Sequence, residues 1–227
     1  MDYLPDLMNL PVMLSASLPS KLIGTNRAQD NYDVIVTLVG GILSSGGTLV
    51  FGGHPSITPL VHRVALSSGI DEPRIILFQD SRFKETAPDE VKDQKVFKEV
   101  RWVGSRGKSK RHPAQHLGDM RQQMIRASLA GVFVGGKTEG NVGRIPGIRD
   151  EFRRFMKYHP NGPAYLLGLL EGETLSIIRE MEKKGDREPN SLNDDEARVL
   201  HYTDNIDLAC SLILADLARS IQRKLSQ

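Results

Sequence analysis

Thr48-Leu49-Val50-Phe51-Gly52-Gly53-His54-Pro55-Ser56 is the stretch that decides how this chain folds. Thr48 to Phe51 are four β-branched or bulky apolar residues in a row, which suits a strand buried on both faces of a parallel sheet. Gly52 and Gly53 follow at once. They let the backbone turn sharply and approach a ligand with no Cβ in the way. Ser56 is positioned to cap a helix beginning near Ile57, and the N–H groups at a helix start bind anions, phosphates above all. A plain strand-to-helix turn fits the same nine residues, so the weight comes from a second corner of the same design.

That second corner is Gly135-Gly136-Lys137-Thr138-Glu139-Gly140, directly after the apolar run Gly131–Val134. Around the two corners, short apolar runs alternate with helical patterns. Strands are expected at 12–17, 48–51, 74–78, 100–103, 131–134 and 163–167. Asp30 or Asn31 is a candidate cap for a helix through Val34, Ile35, Leu38, Val39 and Ile42. Another helix follows through Leu60, Val61, Val64, Ala65 and Leu66. Further helices are expected from Pro113 to about Leu129, from about Pro146 to Tyr158, and over Glu173–Lys183 and Asp195–Leu200. A long one spans about Thr203 to Leu225, with Ile206, Leu208, Ala209, Leu212, Ile213, Ala215, Leu217 and Ile221 on its buried side. Residues 79–98 read as a polar excursion, and 183–193 as a polar linker. The alternation predicts an α/β fold: a parallel sheet of about six strands with helices on both faces. The expectation is one domain over residues 1–227, with its core at about 12–180 and a helical extension at about 190–227.

With 227 residues, 39% hydrophobic and 26% charged, the chain has the makeup of a soluble globular domain. A net charge of +2 argues against a nucleic-acid footprint over the whole protein. The basic run Arg101, Arg106, Lys108, Lys110 and Arg111 reads as a solvated loop or an anion patch. It lacks the interleaved aromatics of a single-strand binder. No apolar run is long enough to span a membrane and no signal peptide is evident. The single cysteine, Cys210, allows no internal disulfide and sits in an apolar helical run, so it reads as core in a cytoplasmic protein.

Ligands of an open parallel sheet bind outside the carboxyl ends of its strands. Three strand ends meet there: Ser15 and Ser17; Gly52, Gly53 and His54; Gly135, Gly136 and Lys137. Such corners suit a phosphate-bearing ligand. Both the dinucleotide fingerprint and the phosphate loop of nucleoside triphosphatases are absent. Arg121, near the start of the helix before the fifth strand, is a candidate grip on phosphate or carboxylate. Glu139 and Glu151 are the nearest carboxylates. Either one suits ribose hydroxyls, stabilisation of an oxocarbenium-like centre, or a surface charge. No His, Cys or Asp cluster has metal-ligand spacing.

Taken together, Ser15-Ala16-Ser17-Leu18-Pro19, Phe51-Gly52-Gly53-His54-Pro55-Ser56, Arg121, Val134–Gly140 and Asp150-Glu151-Phe152 resemble the SLOG superfamily over about residues 12–180. That group joins the Smf/DprA proteins, the Lonely Guy (LOG) phosphoribohydrolases and the sensor domains of bacterial antiviral systems such as Thoeris. The resemblance implies a Rossmann-like fold and a nucleotide ligand. The second corner departs from the LOG pattern Pro-Gly-Gly-x-Gly-Thr-x-x-Glu, since Val134 stands at the proline and Lys137 intrudes. The order Arg121, Lys137, Glu151 is similar to the sensor branch, whose members bind a cyclic ADP-ribose isomer. The resemblance thus implies a sensor of an NAD- or ADP-ribose-derived nucleotide, working as a homo-oligomer or with a separate effector protein. The alternative is a nucleotide N-glycosidase with Glu139 or Glu151 as its catalytic carboxylate.

Overall fold

The computed structural model describes residues 5–25, 27–55, 57–93, 95–104, 113–139 and 145–225. Six strands form one all-parallel sheet: β1 (Pro11–Ser17), β2 (Thr48–Phe51), β3 (Ile75–Asp80), β4 (Phe97–Val103), β5 (Ala130–Gly135) and β6 (Ala164–Leu167). Seven α-helices are among the described residues: α1 (Arg27–Ser44), α2 (Thr58–Ser67), α3 (Pro113–Arg126), α4 (Gly147–Tyr158), α5 (Gly172–Lys184), α6 (Asp194–Tyr202) and α7 (Ile206–Leu225). The strand order is β4-β3-β2-β1-β5-β6. The chain steps outward from β1 to β4, then crosses back to lay β5 beside β1. That reversal opens a crevice at the carboxyl ends of β1 and β5, where open α/β sheets bind their ligands. The fold is α/β and Rossmann-like, as the alternation predicts.

Successive strand residues point to opposite faces, and both faces are covered. Val12 and Leu14 pack with α1, α2 and α7, together with Leu49, Phe51, Val132, Val134, Tyr165 and Leu167. Met13, Val50, Phe78, Phe133 and Leu166 pack with α3, α4 and α5. On this second face the Phe133 ring meets Phe152 edge-on at 5.2 Å between centroids.

Several boundaries differ from the sequence reading, each for a local reason. α1 starts at Arg27, so Asn31 is no cap but a buried residue of the second turn. β4 begins at Phe97, inside the segment read as an excursion. It is an edge strand whose exposed Lys98 and Glu99 hide the apolar pattern. α3 stops at Arg126, because the Leu129 N–H turns to the Pro11 carbonyl (2.8 Å) to start β5. Arg121 therefore lies in the second half of its helix, not near the start. α7 starts at Ile206, and the Asn205 side chain accepts the Leu208 N–H. Its buried side is Ala209, Cys210, Ile213, Leu214 and Leu217, while Leu208 and Ala215 face out. Burial pushes the Cys210 thiol up to about 12, as befits a core cysteine. Arg101 pairs with Glu99, and the remainder of the basic run lies outside the described residues, as does Ser56.

Candidate functional site

The crevice is built on β1 and β5, which run side by side to the pair Ser17 and Gly135. The Ser17 carbonyl accepts the Gly136 N–H at 2.8 Å, so this donor ties the second corner to β1. Gly135 and Gly136 have φ of +69° and +94°. A Cβ on Gly135 would lie 2.7 Å from the Ser17 carbonyl oxygen, and one on Gly136 2.8 Å from Ile148 Cδ1. Only glycine fits such a turn at that density. The start of α5 closes over it: the Glu173 N–H donates to the Gly136 carbonyl at 3.1 Å and Thr174 Oγ1 to the Gly135 carbonyl at 2.9 Å. Ser15, on the face of β1 that carries Met13, is buried and its Oγ has no hydrogen-bond partner.

The first corner is held as firmly. Gly53, at φ +60°, sits against Gln79, whose side-chain amide donates to the Gly53 carbonyl at 3.1 Å. The His54 carbonyl accepts the N–H groups of Ile57 and Thr58 at 2.9 and 3.0 Å, and Thr58 Oγ1 at 3.1 Å. Two of the helix-start donors that would greet an anion are thus consumed by the turn, and Pro59 supplies none.

The charged residues gather on the other side of the crevice. His54 feels both Lys137 and Glu151. Its pKa lies below the ordinary value because burial disfavours the imidazolium and the Lys137 ammonium adds to it, with Glu151 pulling the other way. By accessible surface His54 is an exposed residue, so the Lys137 charge, which acts in the same direction whatever the burial, is the firmer of the two causes. Arg121 reaches from α3 to α4. Its Nε donates to Glu151 at 2.9 Å and its Nη1 to Asp150 at 3.0 Å. Asp150 also accepts from Arg154 Nε at 2.9 Å. One nitrogen of the guanidinium abuts Gly147, where a Cβ would come within 2.8 Å of Nη2. The structure therefore brings together Ser15, Ser17, Gly135, Gly136, Lys137, His54, Arg121 and Glu151 at one edge. Glu139 is exposed just beyond the corner, and residues 140–144 lie outside the described residues.

The profile of one family matches residues 31–203, more than half of the chain. The chain belongs to the SLOG cluster3 family. Its fold is similar to the X-ray structure of TM1055, a structural-genomics target. The two share 12% identity and a TM-score of 0.55, over 94% of this chain and 99% of that one. No curated protein matches the chain.

In this SLOG domain the sequence alone missed the partners that set the electrostatics. Asp150 stands beside Glu151 in the sequence, but only the packing of α3 on α4 delivers Arg121 to both. Arg149 binds Glu173 and Glu180 of α5, which anchors the helix that closes over the second corner. Glu171, just before that helix, has φ +58° and ψ −144°, a region nearly reserved for glycine, and Arg27 holds its carboxylate at 2.7 Å. Lys137 has no ion-pair partner among the described residues. The edge thus presents an uncompensated ammonium, an imidazole, and a guanidinium already engaged by two carboxylates. Among the described residues no three His, Cys, Asp or Glu side chains are grouped to hold a metal ion, and no helix is long and apolar enough to cross a membrane.

Proposed function

We propose that this SLOG domain is a sensor that binds an NAD- or ADP-ribose-derived nucleotide in the crevice at β1 and β5. The observation that carries the reading is the convergence of His54, Lys137 and Glu151, the last two close enough for their charges to act on the imidazole, at the edge where the sheet order reverses. Lys137 supplies the charge for a phosphate, Ser15 Oγ a spare hydrogen-bonding group, and Glu151 an acceptor for ribose hydroxyls. Family membership supports a nucleotide-related role. The order Arg121, Lys137, Glu151 supports the sensor branch and, with it, bacterial antiviral signalling through an oligomer or a separate effector protein.

Sensing is favoured over hydrolysis by the state of Glu151. Its carboxylate is held by Arg121, which orients it and ties up an oxygen that a nucleophile or base would need. The N-glycosidase reading keeps one support, the carboxylate–imidazole neighbours Glu151 and His54. The test is to incubate the protein with NAD, ADP-ribose, cyclic ADP-ribose isomers and nucleoside monophosphates. Melting temperature and the chemical fate of each compound are followed together. A raised melting temperature with intact ligand, lost in Lys137→Ala, is the expected result. Release of nicotinamide or free base, abolished in Glu151→Gln, makes the protein a glycosidase instead. No stabilisation and no turnover rejects both.

A further inference from the structure

Two buried polar groups at the far end of the same sheet edge have no partner. His116, in the first turns of α3, is 3% exposed, and neither ring nitrogen makes a hydrogen bond. Ser81 Oγ, directly after β3, is buried and equally unpartnered. Both close on Gly104, which follows β4 at φ +102°. A Cβ there would lie 2.9 Å from His116 Nδ1 and 3.2 Å from Ser81 Oγ. Asp80 stands beside them, with Arg82 bound to its carboxylate through the backbone N–H and the guanidinium.

Buried polar atoms in folded proteins nearly always find a partner, so three orphaned atoms in one spot call for an explanation. A packed, purely structural site would fill His116 with an apolar residue and gain stability. Functional sites are where such breaks of the local rule are expected, and here three such atoms fall together, unlike the isolated Asn31 Oδ1 and Ser45 Oγ. The place also fits. The inner face of α3 carries His116, Met120 and Met124, and Met120 lies over Gly52, with Cε 3.4 Å from where a Cβ would be. One helix face therefore runs from His116 to the first glycine corner. With strands about 4.8 Å apart, the β3–β4 end lies roughly 15 Å along the edge from β1 and β5.

An imidazole and a hydroxyl side by side are matched by hydroxyl groups, which both donate and accept. The Asp80 carboxylate on the same edge is neutralised by Arg82, so the pair offers an anion no counter-charge. A mononucleotide has its single ribose next to its phosphate and leaves the far end empty. Two riboses joined through a diphosphate reach both ends. We propose that His116 and Ser81 form a second subsite, which takes the ribose hydroxyls of the far nucleoside unit of a diphosphate-bridged, two-ribose nucleotide. The proposal rests on the nucleotide reading above, with the phosphates at Lys137.

The test is isothermal titration of AMP and of ADP-ribose into the full chain and into His116→Leu and Ser81→Ala. The expected result is that the unmodified protein prefers ADP-ribose to AMP by tenfold or more. Each variant should lose about tenfold in ADP-ribose affinity, the worth of one hydrogen bond, and stay within twofold for AMP. His116→Leu should melt no lower than the unmodified protein without ligand, so that its loss is not one of folding. If both nucleotides bind but the variants bind ADP-ribose unchanged, or lose AMP in equal measure, the subsite is wrong while the nucleotide reading stands. If neither nucleotide binds the unmodified protein, both fall together.

Discussion

At the scale of single residues, Arg121 and Lys137 carry the same charge in very different settings. Arg121 is about 15% exposed and bonded to two carboxylates, Glu151 and Asp150. Arg121→Ala strands Glu151 against a half-buried surface. Asp150 keeps Arg154. The expected cost is roughly 2 kcal/mol, the scale of a lost hydrogen bond to a charged group, read from urea denaturation. Lys137→Ala should change stability by less than about 0.5 kcal/mol, as for a side chain outside any network. Equal costs for the two would show that the α3–α4 pairing is not as drawn. His54 gives a second residue-scale expectation. Its pKa is lowered in the free protein by burial and by Lys137, so its imidazole is neutral at pH 7. A bound diphosphate favours the imidazolium and raises that pKa, so binding takes up a proton. The diphosphate of ADP-ribose does not itself titrate near neutrality. Its affinity should therefore rise as pH falls from 8 to 5.5, and His54→Gln should flatten the profile. In the absence of ligand the sign is opposite. Below about pH 6.5 the unfolded chain binds the proton more readily, so His54 makes the free fold less stable as pH drops. A pH-independent affinity in the unmodified protein removes His54 from the site.

At the scale of elements, the second corner depends on how α4 and α5 are tied. Arg149 of α4 binds Glu173, whose side chain is 5% exposed, and Glu180. Burial alone would lower the Arg149 pKa, but the two carboxylates bring it above its ordinary value. Arg149→Ala leaves Glu173 buried and unpaired, an expected loss of about 3 kcal/mol. Adding Glu173→Gln should restore part of it, since the neutral amide tolerates burial. A double variant no more stable than Arg149→Ala would mean that the pair contributes by packing alone. This tie reaches the carboxyl edge of β5 because the Glu173 N–H holds the Gly136 carbonyl. None of it was legible in the sequence. The glycine corners were, since consecutive glycines after an apolar run allow few backbone paths. The strands β2 and β5 were as well, because burial on both faces leaves an unbroken apolar run. Ion pairs such as Arg121–Asp150 were not, for they depend on the facing of two helices about thirty residues apart. His116 was hidden for the same reason: a histidine in a helical pattern carries no mark of what lies above it.

At the scale of the whole molecule, the family profile and the folding unit do not coincide. The matched segment, 31–203, omits β1 and α7. Yet β1 is flanked by β2 and β5 in the middle of the sheet. Without it, two rows of backbone hydrogen-bonding groups lose their partner at the centre of the core. α7 covers α1 closely: a Cβ on Gly41 would sit 2.6 Å from Leu214 Cδ1. It buries Ala209, Cys210, Ile213, Leu214 and Leu217. It also brings Asp216, fully buried, to the Tyr165 hydroxyl at 2.9 Å and the Ser191 N–H at 3.0 Å. Removing α7 would expose that apolar face and leave the Tyr165 hydroxyl orphaned within it, at a loss of several buried side chains worth about 1.5–3 kcal/mol each. That is comparable to the whole stability of a domain, about 5–15 kcal/mol. The expectation is that residues 31–203 alone give no cooperative thermal transition and no near-UV dichroism from tyrosine and tryptophan. Residues 5–225 should melt as the full chain does. Adding back residues 5–30 without α7 should leave the fragment unfolded, because the sheet would be complete but one of its faces bare. A cooperative melt from 31–203 would mean that β5 pairs directly with β2, and that the crevice at the β1–β5 reversal is not the organising feature of this fold.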